Sequence, residues 1–209
     1  MTTETTENVF CRNPNHPAAG TSIKVEPIRK KKDIDLIKRM LADKPRDLAI
    51  FTLGINTNLR ASDLLKITIG HVAHLQPGES FSIREKKTGK LRTITLNRTV
   101  HEALKGLLAT LDSSRESDFL FQSREKVHAG MLTVSYLNSL VKGWCRTINL
   151  RGNYGSHTLR KTWGYMHRTI HHTDIPTLMT MFNHSSQRQT LKYLCIDEVE
   201  IVDAYMKEI

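Results

Sequence analysis

Hydrophobic residues recur at spacings of three and four along most of the chain, which is the spacing that places side chains on one face of an α-helix. The clearest of these faces are Ile34, Ile37 and Leu41; Leu48, Phe51 and Ile55; Val100, Leu104, Leu107, Leu108 and Leu111; and Val134, Leu137, Val141, Trp144 and Ile148. Asp33 and Asn97 can cap the first and third of these helices, and Pro45 suits the first turn of the second. The pattern therefore predicts a core built mainly from helices.

One segment, residues 80–96, alternates between apolar and polar residues instead, as a half-buried β-strand does. Phe81 and Ile83 precede a Thr88-Gly89 turn, and Ile94 and Leu96 follow it, which predicts a β-hairpin. The C-terminal third is predicted as short helices that begin near Ser156, Asp174, Gln187 and Asp197. The predicted fold class is therefore mainly α with a small antiparallel β-sheet (α+β).

The first 23 residues differ from the rest of the chain. They lack apolar periodicity and contain turn formers such as Pro14, Pro17 and Gly20, so residues 1–23 are expected to be a flexible N-terminal leader. Residues 24–209 are expected to form one domain. The N-terminus has no apolar run typical of a secretory signal, and no stretch approaches the roughly 20 apolar residues of a membrane span, so no membrane partner is expected.

Cysteine usage argues against a disulfide framework. The three cysteines, Cys11, Cys145 and Cys195, are odd in number and widely spaced, which fits a reducing cytoplasm. Cys11 and His16 could begin a zinc site, but no second pair of ligands follows at a suitable spacing. No metal is therefore expected.

The charge balance is strongly basic. Lys and Arg total 31 against 21 Asp and Glu, which gives a net charge of +10 and an isoelectric point near 9.7. Residues 24–46 hold nine basic and four acidic residues, and residues 84–98 hold six basic residues and one acid. Such charge points to a polyanionic partner, with nucleic acid first among the candidates. A ribosome-associated or simply basic protein would show the same balance, so the charge alone does not decide.

Six residues carry the candidate chemistry: Arg60, Lys87, His157, Arg160, His184 and Tyr193. Their contexts are Leu-Arg-Ala-Ser-Asp-Leu around position 60, the predicted hairpin turn, a His-x-x-Arg, a His-Ser, and a tyrosine nine residues after that histidine. Each motif is weak alone, but the ordered set, over about residues 24–209, resembles the tyrosine recombinase (phage integrase) family. The resemblance implies the fold of that family's catalytic domain.

These residue types suit the transfer of a DNA phosphodiester to a tyrosine. The transition state gains negative charge on the phosphoryl oxygens, and the planar guanidinium groups of Arg60 and Arg160 are well suited to bind it. His157 and Arg160 lie three residues apart, so on a helix they share a face. The resemblance implies that His157 accepts the proton of Tyr193, which becomes linked to the 3′ phosphate. It also implies that Lys87 protonates the departing 5′ oxygen and that His184 donates a hydrogen bond to the phosphate.

Several assignments stay open at this point. Lys86 and Lys90 compete with Lys87 for the general acid, and Asp63 either supports the cations or is simply an acid at a helix N-terminus. Asn183 stands where the family commonly has Gly before His-Ser, which is a mild departure because Asn tolerates a left-handed turn. The tyrosines that lack the spacing to His184, and are poorer nucleophile candidates, are Tyr154, Tyr165 and Tyr205.

The predicted function is that of a site-specific recombinase or integrase that cleaves and rejoins DNA through a 3′-phosphotyrosine, without metal, ATP or cofactor. The expected partners are double-stranded DNA and, on DNA, further copies in a tetramer, with a monomer in free solution. The expected location is the cytoplasm, at a bacterial or phage nucleoid. The alternatives are a type IB topoisomerase-like relaxing activity and a DNA-binding regulatory protein without turnover. A separate N-terminal core-binding domain, which most members of the family carry, is not expected within these 209 residues.

Overall fold

The computed structural model of the chain describes residues 25–111, 115–123, 130–194, 196, 202 and 205–208. The predicted leader, the pair Cys11 and His16, and the predicted cap Asp197 lie outside these residues. Within the described part, no helix has the length and apolar character needed to cross a membrane.

The described residues form helices and one two-stranded antiparallel sheet, which confirms the predicted fold class. In chain order the elements are α1 (Lys31–Met40), α2 (Pro45–Asn56), α3 (Ala61–Leu64), α4 (Ile69–Val72), β1 (Ser80–Arg84), β2 (Leu91–Thr95), α5 (Arg98–Leu108), α6 (Val134–Thr147), α7 (Ser156–Thr169), α8 (Ile175–Phe182) and α9 (Gln187–Leu194). The helix predicted to begin near Gln187 is confirmed as α9.

Several predicted helix starts agree with the structure. Asn97 accepts a hydrogen bond from the Val100 N–H at 2.9 Å, and Asp174 accepts one from the Thr177 N–H at 2.8 Å. Pro45 is the first residue of α2. The prediction that Asp33 caps the first helix is wrong, because α1 begins earlier and has Lys30 at its N-cap. Asp33 lies in the first turn of α1, where a carboxylate also favours the helix dipole, so the acidic signal occurs inside the helix.

The main hydrophobic core lies between α2, α5, α6 and α7. Phe51 on α2 is fully buried and its ring meets Trp144 of α6 edge-on, with centroids 5.8 Å apart. Helices α2 and α7 approach so closely at Gly54 that a Cβ there would lie 2.5 Å from Leu159 Cδ1. This close approach holds α7, which carries His157 and Arg160, against the centre of the fold.

The predicted hairpin is confirmed, with β1 and β2 paired in the register Ser80 with Thr95 through Arg84 with Leu91. Phe81, Ile83 and Ile94 are buried against the core, which holds one face of the hairpin in place. Gly89 has a φ of 68°, a left-handed conformation that glycine adopts at low cost. The residues between the strands, 85–90, therefore form a defined turn.

A second, smaller hydrophobic cluster consists of Trp163, Leu178, Phe182 and Leu194. Its members come from α7, α8 and α9, and the ring of Phe182 meets Trp163 edge-on with centroids 5.3 Å apart. This C-terminal cluster packs the last two helices onto α7. It therefore sets where His184, just after α8, and Tyr193, on α9, lie relative to His157.

Candidate active site

A cavity of about 510 Å³ gathers residues that are far apart in the sequence. Arg60, Lys87, His184 and Tyr193 line it, although they come from the start of α3, the hairpin turn, the loop after α8 and α9. The other lining residues are Thr88, Lys90, Asn183, Ser185 and Gln189. The remaining two predicted site residues, His157 and Arg160, contact Tyr193 from α7, so the structure brings all six together.

The hydroxyl of Tyr193 lies 3.3 Å from Nδ1 of His157, and the two rings meet nearly edge-on. Packing around the imidazole, followed by the charges of Arg160 and Lys161, lowers the pKa of His157. A neutral imidazole is the form that can accept a proton, so the neighbours of His157 favour the state a general base needs.

Arg160 lies beneath the nucleophile and is almost completely buried, with 1% of its surface exposed. Its Nη1 donates to the Asn58 carbonyl at 2.9 Å and its Nη2 donates to the Phe182 carbonyl at 2.8 Å. Its guanidinium carbon lies 5.7 Å from the centroid of the Tyr193 ring. Burial and the charge of Arg60 lower the pKa of Arg160 to about 10, which still leaves it protonated at neutral pH.

His184 lies against both the C-terminal cluster and the nucleophile. Its ring stacks on Phe182, with 5.0 Å between centroids and 8° between planes, and its centroid lies 5.2 Å from that of Tyr193. Burial, then the charges of Arg160 and Arg60, lower its pKa to about 4. Nδ1 lies 3.1 Å from the buried hydroxyl of Thr190. When that hydroxyl donates to Nδ1, the neutral ring carries its proton on Nε2 and can donate it to a ligand.

Arg60 is held by an acid that the sequence analysis did not single out. Its Nη1 lies 2.8 Å from Oε2 of Glu85, and the two side chains are 16% and 1% exposed. Arg92 lies 3.1 Å from the other oxygen, and Thr88 and Asn183 also donate to the carboxylate. Burial alone would raise the pKa of Glu85, but these donors lower it to about 2. The only signal in the sequence is that Glu85 is the single acid among residues 84–98.

The hairpin turn separates the three lysines that compete for the role of general acid. Lys87 and Lys90 are exposed and line the cavity. Lys86 is also exposed but is not among the residues that line the cavity, and its backbone N–H donates to Oδ1 of Asp63 at 2.9 Å. Asp63 is 1% exposed, and its charge also favours the protonated form of Arg92. Its clearest contact is thus with the backbone of the turn that carries Lys87.

The other tyrosines considered from the sequence do not line this cavity. Tyr154 is buried and donates to the Arg151 carbonyl at 3.0 Å, and Tyr205 is 86% exposed. The guanidinium carbons of Arg29 and Arg168 lie 5.2 and 5.6 Å from the centroid of the Tyr165 ring. Among the described residues, no group of three or more His, Cys, Asp or Glu side chains is arranged to hold a metal ion.

Comparison with known proteins places these observations in one family. The model of the phage integrase family matches residues 29–199 of the chain. "Probable integrase/recombinase YoeC" of Bacillus subtilis (strain 168) is 32% identical over 187 residues, which are 87% of this chain and 95% of that protein. "Tyrosine recombinase XerC" of Caldanaerobacter subterraneus subsp. tengcongensis is 30% identical over 167 residues, which are 78% of this chain and 45% of that protein. The chain thus spans less than half the length of the second relative.

Solved structures share the fold at lower sequence identity. The crystal structure of XerA recombinase superposes with a TM-score of 0.70 at 18% identity, over 93% of this chain and 68% of that one. XerH site-specific recombinase, crystallised on a palindromic difH substrate after cleavage, gives a TM-score of 0.70 at 20% identity, over 88% of this chain and 53% of that one. Because the family model covers most of the sequence and the fold agrees with it, the chain belongs to the phage integrase family of tyrosine recombinases.

Proposed function

We propose that this protein is a DNA strand transferase that cleaves and rejoins DNA through a covalent bond between Tyr193 and a 3′ phosphate. The observation that carries the proposal is the position of the Tyr193 hydroxyl, 3.3 Å from the imidazole of His157 and in a cavity shared with Arg60, Lys87 and His184. A nucleophile beside a base, facing several hydrogen-bond donors, is the arrangement that phosphoryl transfer requires.

The chemistry follows from these positions. Tyrosine has an unperturbed pKa of about 10, so its oxygen needs a base to attack phosphorus at neutral pH. His157 accepts the proton as the bond from Tyr193 to phosphorus forms. The bond from phosphorus to the 5′ oxygen breaks, and that oxygen takes a proton from Lys87. Rejoining is the reverse reaction, and because the phosphotyrosine bond conserves the energy of the broken bond, no ATP is consumed.

The donors around the cavity can hold the extra negative charge of the transition state. A guanidinium carries five N–H donors, and two of those of Arg160 donate hydrogen bonds to the carbonyls of Asn58 and Phe182. Three groups can bind the non-bridging oxygens: the remaining N–H donors of Arg160, the N–H donors of Arg60 and the Nε2 proton of His184. The positive charge comes from side chains, so we propose that cleavage needs no metal ion.

Double-stranded DNA is the proposed partner. A net charge of +10 supports it, as does the similarity to XerH, which was crystallised on its difH substrate. We propose that the biological reaction is site-specific recombination in the cytoplasm, on bacterial or phage DNA, with protomers that are monomeric in solution and form a tetramer on two sites. The large apolar side chains that the C-terminal segment exposes, Val202, Tyr205 and Met206, are available for contact with another protomer.

Covalent trapping tests the proposal. The wild-type protein is mixed with a labelled pool of duplexes that are nicked and have random sequence around the nick. The cleaved end dissociates from such a duplex, so the strand cannot be rejoined and the covalent adduct persists. Adducts are read on a denaturing gel. Tyr193→Phe removes only a hydroxyl, so it should abolish adducts and leave DNA binding intact, whereas the matched Tyr205→Phe should form them normally. Adducts that persist in Tyr193→Phe would overturn the assignment of the nucleophile.

A further inference from the structure

Glu85 is a buried carboxylate at which three separate parts of the site meet. Its Oε2 receives Arg60 at 2.8 Å, Thr88 at 2.7 Å and Asn183 at 3.1 Å. Its Oε1 receives Arg92 at 3.1 Å. These partners come from the start of α3, the hairpin and the end of α8, so a single side chain joins all three segments.

Three of the four partners stand next to, or are, a residue of the proposed chemistry. Arg60 is itself a proposed phosphate ligand. Thr88 follows Lys87 directly, and the backbone of Glu85 closes the same turn, since its N–H donates to the Lys90 carbonyl at 2.9 Å. Asn183 precedes His184 directly. A change in the position of Glu85 would therefore move three groups together: the guanidinium of Arg60, the proposed general acid Lys87 and the proposed phosphate donor His184.

The chemistry of the four partners requires a carboxylate at this position. Thr88, Arg92 and Asn183 donate hydrogen bonds to Glu85, and Arg60 forms an ion pair with it, so the group between them must be an anion that accepts on both of its oxygens, as an ionised carboxylate does. A glutamine would offer one accepting oxygen and turn its NH₂ group towards other donors. The negative charge also offsets the repulsion between Arg60 and Arg92, whose charges each act on buried Arg160.

Asn183 fits the same network. It has φ 55° and ψ 45°, a left-handed conformation that favours Gly or Asn. Glycine would satisfy the backbone alone, whereas the amide of Asn183 adds the hydrogen bond to Glu85. The asparagine before His-Ser is therefore explained by its partner across the site.

We propose that Glu85 is a positioning residue for strand cleavage, one that holds the Arg60 guanidinium against the scissile phosphate. The proposal rests on the proposed function, because it assigns Glu85 a role in that same site. It predicts that removing the charge of Glu85 slows the chemical step without weakening DNA binding, since one repulsive charge near the phosphate is lost.

The test compares Glu85→Gln and Glu85→Asp with Glu79→Gln, a matched control. Glu79 is exposed and accepts a hydrogen bond from the Gln76 N–H at the base of the same hairpin. Single-turnover cleavage by Glu85→Gln is expected to fall by about 10²-fold, the usual cost of losing one transition-state donor. Glu85→Asp keeps the charge and should retain more activity than Glu85→Gln, and Glu79→Gln should match the wild type. The Kd for DNA should stay equal or become smaller in Glu85→Gln.

A methylphosphonate at the scissile position separates positioning from a merely structural role. It has one charged oxygen fewer, so its cleavage depends less on Arg60, and the gap between Glu85→Gln and the wild type should narrow. Asn183→Gly removes one hydrogen-bond donor to Glu85 and keeps the backbone conformation, so its loss of cleavage rate should be smaller than that of Glu85→Gln. If Glu85→Gln loses DNA binding, thermal stability and cleavage of both substrates together, Glu85 only maintains the fold and the proposal is wrong.

A second readout does not depend on cleavage and so distinguishes this proposal from the proposed function. In DNA-free protein labelled with ¹⁵N-arginine, the ion pair with Glu85 should restrict rotation of the Arg60 guanidinium and resolve its Nη signals. In Glu85→Gln the guanidinium should rotate more freely and its Nη signals should average, whereas in Glu79→Gln they should stay resolved. Unchanged Arg60 signals in Glu85→Gln would overturn the positioning role, whereas a wild-type protein that forms no adduct would overturn only the proposed function.

Discussion

Replacing Gly164 with alanine, which adds one methyl group, should disturb the active site through the C-terminal cluster. Gly164 lies inside α7, and a Cβ there would lie 2.5 Å from Phe182 Cζ and 3.3 Å from Leu194 Cδ2. Ordinary contacts between carbon atoms are about 3.5–4.0 Å, so the Phe182 ring must move by roughly 1 Å. That ring is fully buried and packed against Trp163, which leaves it little room.

The magnitude follows from two opposing contributions. Overpacking a core by a methyl group costs about 1–3 kcal/mol, and replacing a helical glycine with alanine returns up to about 1 kcal/mol. The 2.5 Å approach to a ring that cannot turn away favours the upper part of that cost. Gly164→Ala should therefore lower the free energy of unfolding by about 1–2 kcal/mol, which is a fall in Tm of about 2–8 °C for a chain of this size.

Cleavage should suffer more than stability. Phe182 stacks on His184, and its carbonyl accepts the Arg160 hydrogen bond, so its displacement moves two proposed phosphate ligands. A misplacement of about 1 Å can cost about 10²-fold in rate. Single-turnover cleavage by Gly164→Ala should therefore fall at least about 10-fold at a temperature where the protein is fully folded.

Gly143→Ala is the matched control for both measurements. Gly143 also lies inside a helix, α6, but a Cβ at this position would meet no described residue beyond its own helix within 4 Å. That substitution should raise the free energy of unfolding by about 0.5–1 kcal/mol and leave cleavage unchanged. If Gly164→Ala is as stable as Gly143→Ala and cleaves at the wild-type rate, the packing of the C-terminal cluster does not position the site.

Three further predictions concern the general acid, pH and cofactors. Lys87→Ala should cripple cleavage of ordinary DNA and be rescued by a bridging 5′-phosphorothiolate, whose sulfur departs without protonation; rescue of Lys86→Ala or Lys90→Ala instead would move the role. The pKa of His184 falls from 6.5 to about 4 on folding, so the unfolded chain binds more protons in that range and the free energy of unfolding should fall as pH falls from 6.5 towards 4. Urea titrations across that range should show a shallower pH dependence for His184→Gln, and an unchanged dependence would refute the assignment. Cleavage should survive EDTA without added nucleotide, and strict dependence on Mg²⁺ would indicate a different mechanism.

Local patterns in the sequence determined the helices, the hairpin and the set of candidate residues. The caps Asn97 and Asp174, the turn at Thr88-Gly89 and the apolar faces depend on neighbours a few residues away, so their spacing carries the information. Asp33 shows the limit of such signals, because an acid is favourable both at the cap and inside the first turn of a helix. The six candidate site residues were identified from the order of their motifs, because a resemblance to a family can be recognised from that order without coordinates.

Only the tertiary structure decided how those residues work together. Glu85 looked like one acid in a basic segment until folding placed it against Arg60 and Asn183, 25 and 98 positions away along the chain. The same holds for Phe182, whose carbonyl and ring fix Arg160 and His184, and for the backbone of Lys86, which Asp63 holds. Such contacts join segments whose separation leaves no periodic trace in the sequence, because hydrogen bonding and burial act through space, whereas sequence patterns record only neighbours along the chain.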